Sequence, residues 1–267
     1  MESATQSQTF LAILEMVRVI HALMLREIKT KFANQKLGYL WAFIEAILMV
    51  SVFVALFSLR GRTSPGNLGL ELFMITGFVP FFLFRHTMSS VGGAIKANKS
   101  FLAYPQVQVN DVILARFFLE YATSFIVLII MVAGVHMLNI DEVNINFPLG
   151  VLAGFTMLAL FGLGLGLCIS SLAPIFPSVQ TVAQTFVGRP LFFLSGVFYS
   201  ADIIPETFRP YLLLNPLFHC IELIRFSFQN AESQYLNLAY AIKFLVLLVF
   251  SGLLMQRALY RYSLTKR

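Results

Sequence analysis

A run of 46 residues without a charged side chain, from Val143 to Gly188, constrains this chain more than any other feature. A helix needs about 20 apolar residues to cross the roughly 30 Å of bilayer hydrocarbon, so the run is too long for one span. Pro174 and Pro177 interrupt it, and proline breaks helices because it lacks an amide hydrogen. The run therefore predicts two membrane spans, at 147–173 and from 178 onward.

The composition also indicates an integral membrane protein. Of the 267 residues, 58% are hydrophobic and 12% are charged, whereas soluble domains average about 25% charged residues. The net charge of +6 does not indicate nucleic acid, because the basic residues cluster at the ends of apolar runs and form no basic, aromatic face. No signal-peptide pattern opens the chain, so the first span is expected to direct membrane insertion.

Apolar runs and the segments between them predict an all-α fold with six transmembrane helices. The spans are predicted at residues 38–59, 70–90, 112–138, 147–173, 178–198 and 236–256. Residues 10–33 have apolar side chains at positions 10, 13, 14, 17, 20, 24 and 28, a helical stripe that predicts an amphipathic interfacial helix. Packing of that helix on a soluble partner is the alternative. Residues 199–230 contain an apolar stretch too short to cross, which predicts a re-entrant or interfacial segment.

A polar, lysine-bearing segment at residues 94–111 separates the second and third spans. Eleven of the 19 basic residues fall on the side of the N-terminus, and four, Arg60, Arg62, Arg209 and Arg225, fall on the opposite side. The positive-inside rule therefore predicts that both termini and this segment are cytoplasmic. Since the chain has no Gly-rich phosphate loop, a separate ATPase acting through this segment is one interpretation, and an ordinary basic loop is the other.

Several segments, taken together and in order, resemble a known family. They are 25–32 (LREIKTKF), 37–42 (LGYLWA), 77–82 (GFVPFF), 94–111, 115–120 (ARFFLE) and 215–225 (NPLFHCIELIR). The chain resembles the membrane subunit of bacterial ABC-2 type polysaccharide exporters, and most closely the capsular polysaccharide exporters. It departs from many relatives at Ala46, where they have proline, so a helix kink is not expected there.

The resemblance implies a homodimer of six-span subunits in the bacterial inner membrane, without an enzymatic site or cofactor on this chain. It implies two copies of a separate ATP-binding subunit, which hold ATP and magnesium. The cargo would be a lipid-linked polysaccharide, passed on to a periplasmic co-polymerase and outer-membrane export proteins, with membrane lipids around the subunit. The same resemblance leaves O-antigen and teichoic acid export open.

Two sets of candidate site residues follow from the segments and the resemblance. The expected ATPase contacts are Arg26, Glu27, Lys29, Lys31, Lys96, Asn98, Lys99, Phe101, Tyr104 and Pro105. Aromatic faces can stack on sugar rings, and the candidates for a polymer or lipid path are Tyr39, Trp41, Phe78, Phe81, Phe82, Arg85, Arg189, Phe192, Phe193, Phe198 and Tyr199. The alternative for the aromatic residues is bulk facing lipid and interfacial belts.

Charges within predicted spans are costly and face a cavity or a partner. Arg85 and Arg189 are hypothesised to bind the phosphate of a lipid anchor, and the alternative is a structural pair of Glu45 with Arg189. Arg116 and Glu120, four residues apart, are predicted to share a helix face.

Two further patterns were weighed. Gly150 with Gly154, and Gly162 with Gly166, predict close helix packing, within a subunit or between two. A group of three potential ligands lies within four residues, namely His219, Cys220 and Glu222. Without a further histidine or cysteine nearby, this spacing does not favour a metal site.

Two other classes of protein were considered. A membrane-embedded glycan transferase would concentrate polar catalytic side chains at one membrane face, whereas the acidic residues and histidines here are scattered. An ion-coupled transporter would show inverted repeats, and none is visible in the sequence.

Overall fold

The computed structural model describes residues 2–31, 40–59, 68–104, 107–228 and 235–265, and it is helical along most of them. Side chains are described over the same ranges apart from residues 2–14, 31, 42, 103 and 260–265. Within this part of the chain, four helices are long and apolar enough to cross a membrane. They are α3 (Leu70–Gly92), α5 (Val109–Met137), α6 (Pro148–Leu172) and the first 22 residues of α11 (Leu238–Thr265). They lie where the second, third, fourth and sixth spans were predicted.

Two more helices precede these four. Helix α1 (Glu2–Lys31) covers the predicted interfacial segment, and the apolar helix α2 (Leu40–Leu59) lies at the predicted first span. The buried face of α1 is shifted from the predicted stripe: Ile20 of the stripe is buried, but Val17 is exposed, and Leu23 and Glu27, which lie outside the stripe, are buried. The reason is that α1 packs against α5, whose Arg116 draws Glu27 inward.

Helix α6 lies at the centre of the bundle, between α3, α11 and α10 (Pro216–Phe228). Its glycines allow these helices to approach closely: a Cβ atom at Gly154 would lie 2.8 Å from the Cys220 carbonyl oxygen of α10, and one at Gly162 would lie 2.6 Å from the Phe84 carbonyl oxygen of α3. Gly150 also faces α10, and Gly166 also faces α3. The contacts of all four glycines are therefore within one subunit.

The predicted fifth span, 178–198, is interrupted. It consists of α7 (Val179–Ala183), a π-helical turn (Gln184–Gly188) and α8 (Arg189–Leu194). Pro190 has no amide hydrogen, so the α-helical bond to the carbonyl of residue 186 cannot form, and the wider turn precedes it. The 16 helical residues extend about 24 Å at 1.5 Å per residue, less than the hydrocarbon thickness. Apolar composition did not reveal this interruption.

In the described part of the predicted re-entrant or interfacial segment, residues 199–228, the chain forms three short helical elements. A 3₁₀ turn (Ala201–Ile203) and α9 (Arg209–Leu213) lead into α10, whose 13 residues are too few for a crossing. Most of α10 is nevertheless buried, because it lies along Gly150 and Gly154 of α6. Arg225, counted above among the charges of an external loop, is one of these buried residues.

The polar segment 94–111 contains two short helical elements in its described part, and its last three residues belong to α5. Helix α4 (Ala94–Ala97) and a 3₁₀ turn (Phe101–Ala103) follow α3 closely, and α5 begins at Val109. A capping interaction fixes that start, since the backbone amide of Gln108 donates to the Asp111 carboxylate at 2.9 Å.

Candidate functional site

A buried carboxylate joins α1 to the segment 94–111 and to α5. Arg116 of α5 donates to both oxygens of Glu27, with distances of 3.0 to 3.2 Å, and its third nitrogen donates to the Ser90 carbonyl oxygen at 2.8 Å. Asn98, which has no exposed surface, donates its amide to the same Glu27 at 3.0 Å. The sequence suggested Glu120 as a neighbour of Arg116, but the ion pair seen for Arg116 is with Glu27, 89 positions away.

Arg26 extends this network to the other side of Asn98. Its guanidinium donates to the Asn98 side-chain oxygen at 2.6 Å and lies over the Phe101 ring, 3.7 Å from the ring centre. Asn98 and Glu27 therefore face the interior, where they bind other parts of this chain.

Four other expected ATPase contacts, Lys29, Lys96, Lys99 and Tyr104, are exposed. The side chain of Lys31 and the whole of Pro105 lie outside the described residues.

A cavity of about 880 Å³ adjoins this network, between α1, α2, α3, α4 and α5. Arg26, Lys96 and Arg116 line it at the network, and Val79, Phe82 and Val127 form an apolar wall. Two residues of α2, Trp41 and Glu45, also line it. Of the path candidates, Trp41 and Phe82 thus border an open volume, whereas Tyr39 lies outside the described residues.

The remaining aromatic path candidates form one packed cluster. Phe78 and Phe81 have no exposed surface, and Phe192 contacts both rings at centroid distances of 5.6 and 5.2 Å. Phe198 lies 4.9 Å from Phe192, and Phe193 is exposed at the edge of the cluster. The Tyr199 hydroxyl donates to the Phe193 carbonyl oxygen at 2.6 Å. In this conformation the cluster fills the subunit between α3 and α8, and Phe193 is its ring that faces outward.

Three charges of the predicted spans lie near one another. Arg85 of α3 is within electrostatic range of Glu45 on α2 and of Arg189 on α8. Glu45 and Arg189 are exposed on the surface of the single subunit, while Arg85 is half-buried beside the Phe82 ring. This arrangement brings together the three residues for which the sequence left two roles open.

Arg225 of α10 is a buried residue whose role the sequence did not reveal. It donates to the carbonyl oxygens of Gly196 at 2.6 Å and Val197 at 2.9 Å, and its guanidinium carbon lies 3.6 Å from the centre of the Phe73 ring. Burial lowers its pKa to about 10, so it stays charged at neutral pH. The sequence held one signal, a charge near the end of a short and mostly apolar segment, but the positive-inside count assigned this charge to the opposite side of the membrane.

The side chain of His219 is engaged within the fold. Its Nε2 lies 3.0 Å from the Leu213 carbonyl oxygen, and its Nδ1 accepts a hydrogen bond from the backbone amide of Asn237 at 3.3 Å. The Cys220 thiol is buried, and burial raises its pKa. These contacts give the histidine a role in linking α9, α10 and the start of α11.

Comparison with known proteins gives one consistent result. The sequence pattern described as ABC-2 type transporter matches residues 18–228. Polysialic acid transport protein KpsM of Escherichia coli is 32% identical over 91% of this chain and 92% of its own length. Capsule polysaccharide export inner-membrane protein CtrC of Neisseria meningitidis is 31% identical over 88% and 89%. The O-antigen export system permease protein RfbA of Klebsiella pneumoniae is more distant, at 24% identity over 84% and 86%.

Proposed function

The chain belongs to the ABC-2 type transporter family, and from this premise we propose that it is the membrane subunit of an ATP-driven capsular polysaccharide exporter. The observation that carries the proposal is the similarity to polysialic acid and capsule export proteins along nearly the full length of both chains. The cargo is a lipid-linked polysaccharide, moved from the cytoplasm across the inner membrane. This chain supplies the passage and performs no chemistry of its own.

In the membrane, α2 and residues 178–198, whose helical part is α7–α8, join α3, α5, α6 and α11 to give six crossings. Residues 199–230 form a re-entrant segment on the external side. Both termini and the segment 94–111 lie in the cytoplasm, which the exposed Lys96 and Lys99 of that segment support. Helix α1 lies along the cytoplasmic membrane surface.

Two copies of a separate ATP-binding subunit, holding ATP and magnesium, drive the exporter. Their contacts are the exposed side chains of α1 and of segment 94–111, namely Lys29, Lys96, Lys99 and Tyr104. The support for this surface is physical: it is polar, it is exposed, and the segment is directly connected to both α3 and α5.

A second copy of the chain completes the passage. Arg189 is exposed on a segment that crosses the membrane in this proposal, where contact with lipid would cost about 3 kcal/mol or more, and Glu45 is exposed on α2 beside the cavity. We therefore place the partner subunit and the polymer path along α2 and α8, with Trp41 and Phe193 available to stack on sugar rings. On the external side, the polymer passes to a periplasmic co-polymerase and outer-membrane export proteins.

Deletion of the gene in its host tests the proposal. Full-length polysaccharide should accumulate inside the cells while the surface becomes bare, and a plasmid copy of the gene should restore the surface polymer. Fractionated cells, probed for polymer inside and outside, provide the measurement. Loss of all polymer would contradict the proposal and favour the membrane-embedded transferase.

The alternative within the family is an exporter of O-antigen or teichoic acid. The lower similarity to an O-antigen permease makes it the second candidate. The same deletion strain separates the two. If the chain exports O-antigen, its deletion should remove the O-antigen side chains from the surface lipopolysaccharide and leave the capsule intact.

A further inference from the structure

We infer that Glu27 is a positioning residue that latches α1, the segment 94–111 and α5 into one unit, so that force from the ATP-binding subunit reaches the spans. This inference rests on the proposed function. The mechanical part, that one carboxylate holds the segment in place, stands on the contacts alone.

The geometry of the ion pair between Glu27 and Arg116 supports this role. The fork of Arg116 takes both oxygens of Glu27, a bidentate pairing that fixes orientation as well as distance. Both side chains are only 12% exposed, so water competes weakly for the charges. Removing one member of such a pair leaves the other charge buried without compensation, which is far more costly than losing a surface pair.

The segment 94–111 is held to Glu27 by a buried asparagine. Asn98 is fully buried, donating to Glu27 and to the Ala94 carbonyl oxygen at 3.1 Å while accepting from Arg26. The flanking Lys96 and Lys99 are exposed. Asn98 thus ends α4 through its bond to Ala94 and also connects the segment that carries the exposed lysines to the carboxylate of Glu27.

Several elements of the subunit meet at the network around Glu27. Arg116 also donates to the Ser90 carbonyl oxygen near the end of α3, and Arg26 stacks on Phe101 of the 3₁₀ turn. A push on the exposed lysines is therefore transmitted to α1, α3 and α5 through hydrogen bonds rather than through a flexible loop.

The mechanical part is tested with the full chain reconstituted in lipid nanodiscs and treated with trypsin. In Glu27→Gln, cleavage after Lys96 and Lys99 should accelerate about tenfold, because a buried charged hydrogen bond no longer opposes local opening. Cleavage after the exposed Arg257 of α11 is the internal reference, and Glu15→Gln, an exposed carboxylate on the same helix, is the matched control. Unchanged cleavage at the lysines, or equal acceleration at Arg257, overturns the latch.

The coupling part is tested with the same variants in complex with the ATP-binding subunit, measuring polymer export and ATP hydrolysis together. Coupling between sites is typically worth 5–150-fold, so export per ATP should fall about tenfold in Glu27→Gln while the ATP-binding subunit stays bound. Arg116→Lys, which keeps the charge without the fork, should fall less. A merely structural role would lower both activities in proportion and leave the ratio unchanged, which overturns the coupling role.

The wild-type complex separates this inference from the proposed function. If the wild type exports no polysaccharide, the proposed function fails, and the trypsin experiment still decides the latch. If the wild type exports and Glu27→Gln exports equally per ATP, the inference fails and the proposed function stands.

Discussion

Arg225 shows how a single charged side chain can order one end of the bundle. Its guanidinium satisfies the carbonyl oxygens of Gly196 and Val197, in the turn that follows α8, from a helix that is distant in sequence. Gly77 of α3 makes room for it, because a Cβ atom there would lie 2.8 Å from the nearest Arg225 nitrogen. The glycine that opens the segment GFVPFF is therefore required by an arginine 148 positions later.

Arg225→Lys should destabilise the subunit by roughly 2 kcal/mol, because a lysine cannot supply the fork and leaves buried carbonyl oxygens without donors. The measurement is thermal unfolding of the purified full chain in detergent. Arg257→Lys, at an exposed position of α11, should leave the unfolding temperature unchanged. Equal stability of the two variants would show that the carbonyl contacts of Arg225 contribute little.

At the scale of elements, α6 is fitted to its neighbours by glycines on more than one side. The stripe that faces α3 and α10 was visible in the sequence as glycines four residues apart. Gly164 faces α11, where a Cβ atom would lie 3.0 Å from Leu248. In a bilayer the lipid tails are as apolar as the helices, so the hydrophobic effect does not drive helices together. Close packing of this kind is then a main source of helix association.

Gly162→Ala should destabilise the bundle by roughly 1–3 kcal/mol, since its Cβ atom would meet the backbone of α3, which cannot rotate away. Gly134→Ala on α5 is the matched control, because a Cβ atom there meets nothing within 4 Å. Helix propensity favours alanine by up to about 1 kcal/mol, so the control should be neutral or slightly stabilising. Folded yield and unfolding temperature measure both, and a harmless Gly162→Ala would contradict the packing argument.

The sequence predicted helices well where the membrane itself demands them. Length and apolar content located α3, α5, α6 and α11, because a spanning helix must satisfy its backbone internally over a fixed thickness. The same reasoning missed the π-helical turn before Arg189, since the apolar count continues through it.

Local spacing also could not reveal the ion pair of Arg116 with Glu27. Periodicity compares residues one or two helical turns apart, whereas Glu27 reaches Arg116 from another helix. The sequence likewise offered Phe78 and Phe81 as candidates for a path because they are aromatic, and in this conformation the folded subunit buries both side chains. Contacts between distant segments decide these placements, and no local pattern records them.

For the whole molecule, the exposed charges of α2 and α8 set the expected assembly. A cysteine at Phe186, exposed on the π-helical turn, should form a disulfide with its counterpart in a second copy under mild oxidation. Val246→Cys, at an apolar and exposed position of α11, should give no crosslinked dimer, because this position faces lipid in the proposed assembly. Both are placed in a Cys168→Ala background and followed by non-reducing electrophoresis of native membranes. Crosslinking at Val246 alone would place the dimer contact on α11.

The π-helical turn has a consequence for how this helix tolerates changes in length. A π turn carries one residue more than an α-helical turn, so it is equivalent to an insertion that the fold absorbed without lengthening the segment. If the same sequence wound as a regular α-helix through Gln184–Gly188, everything after this turn would be rotated by about 100° relative to α7. Arg189 and Phe193 would then turn together to another side of the helix. The alignment of these two side chains with α2 thus depends on one surplus residue, whatever that residue is.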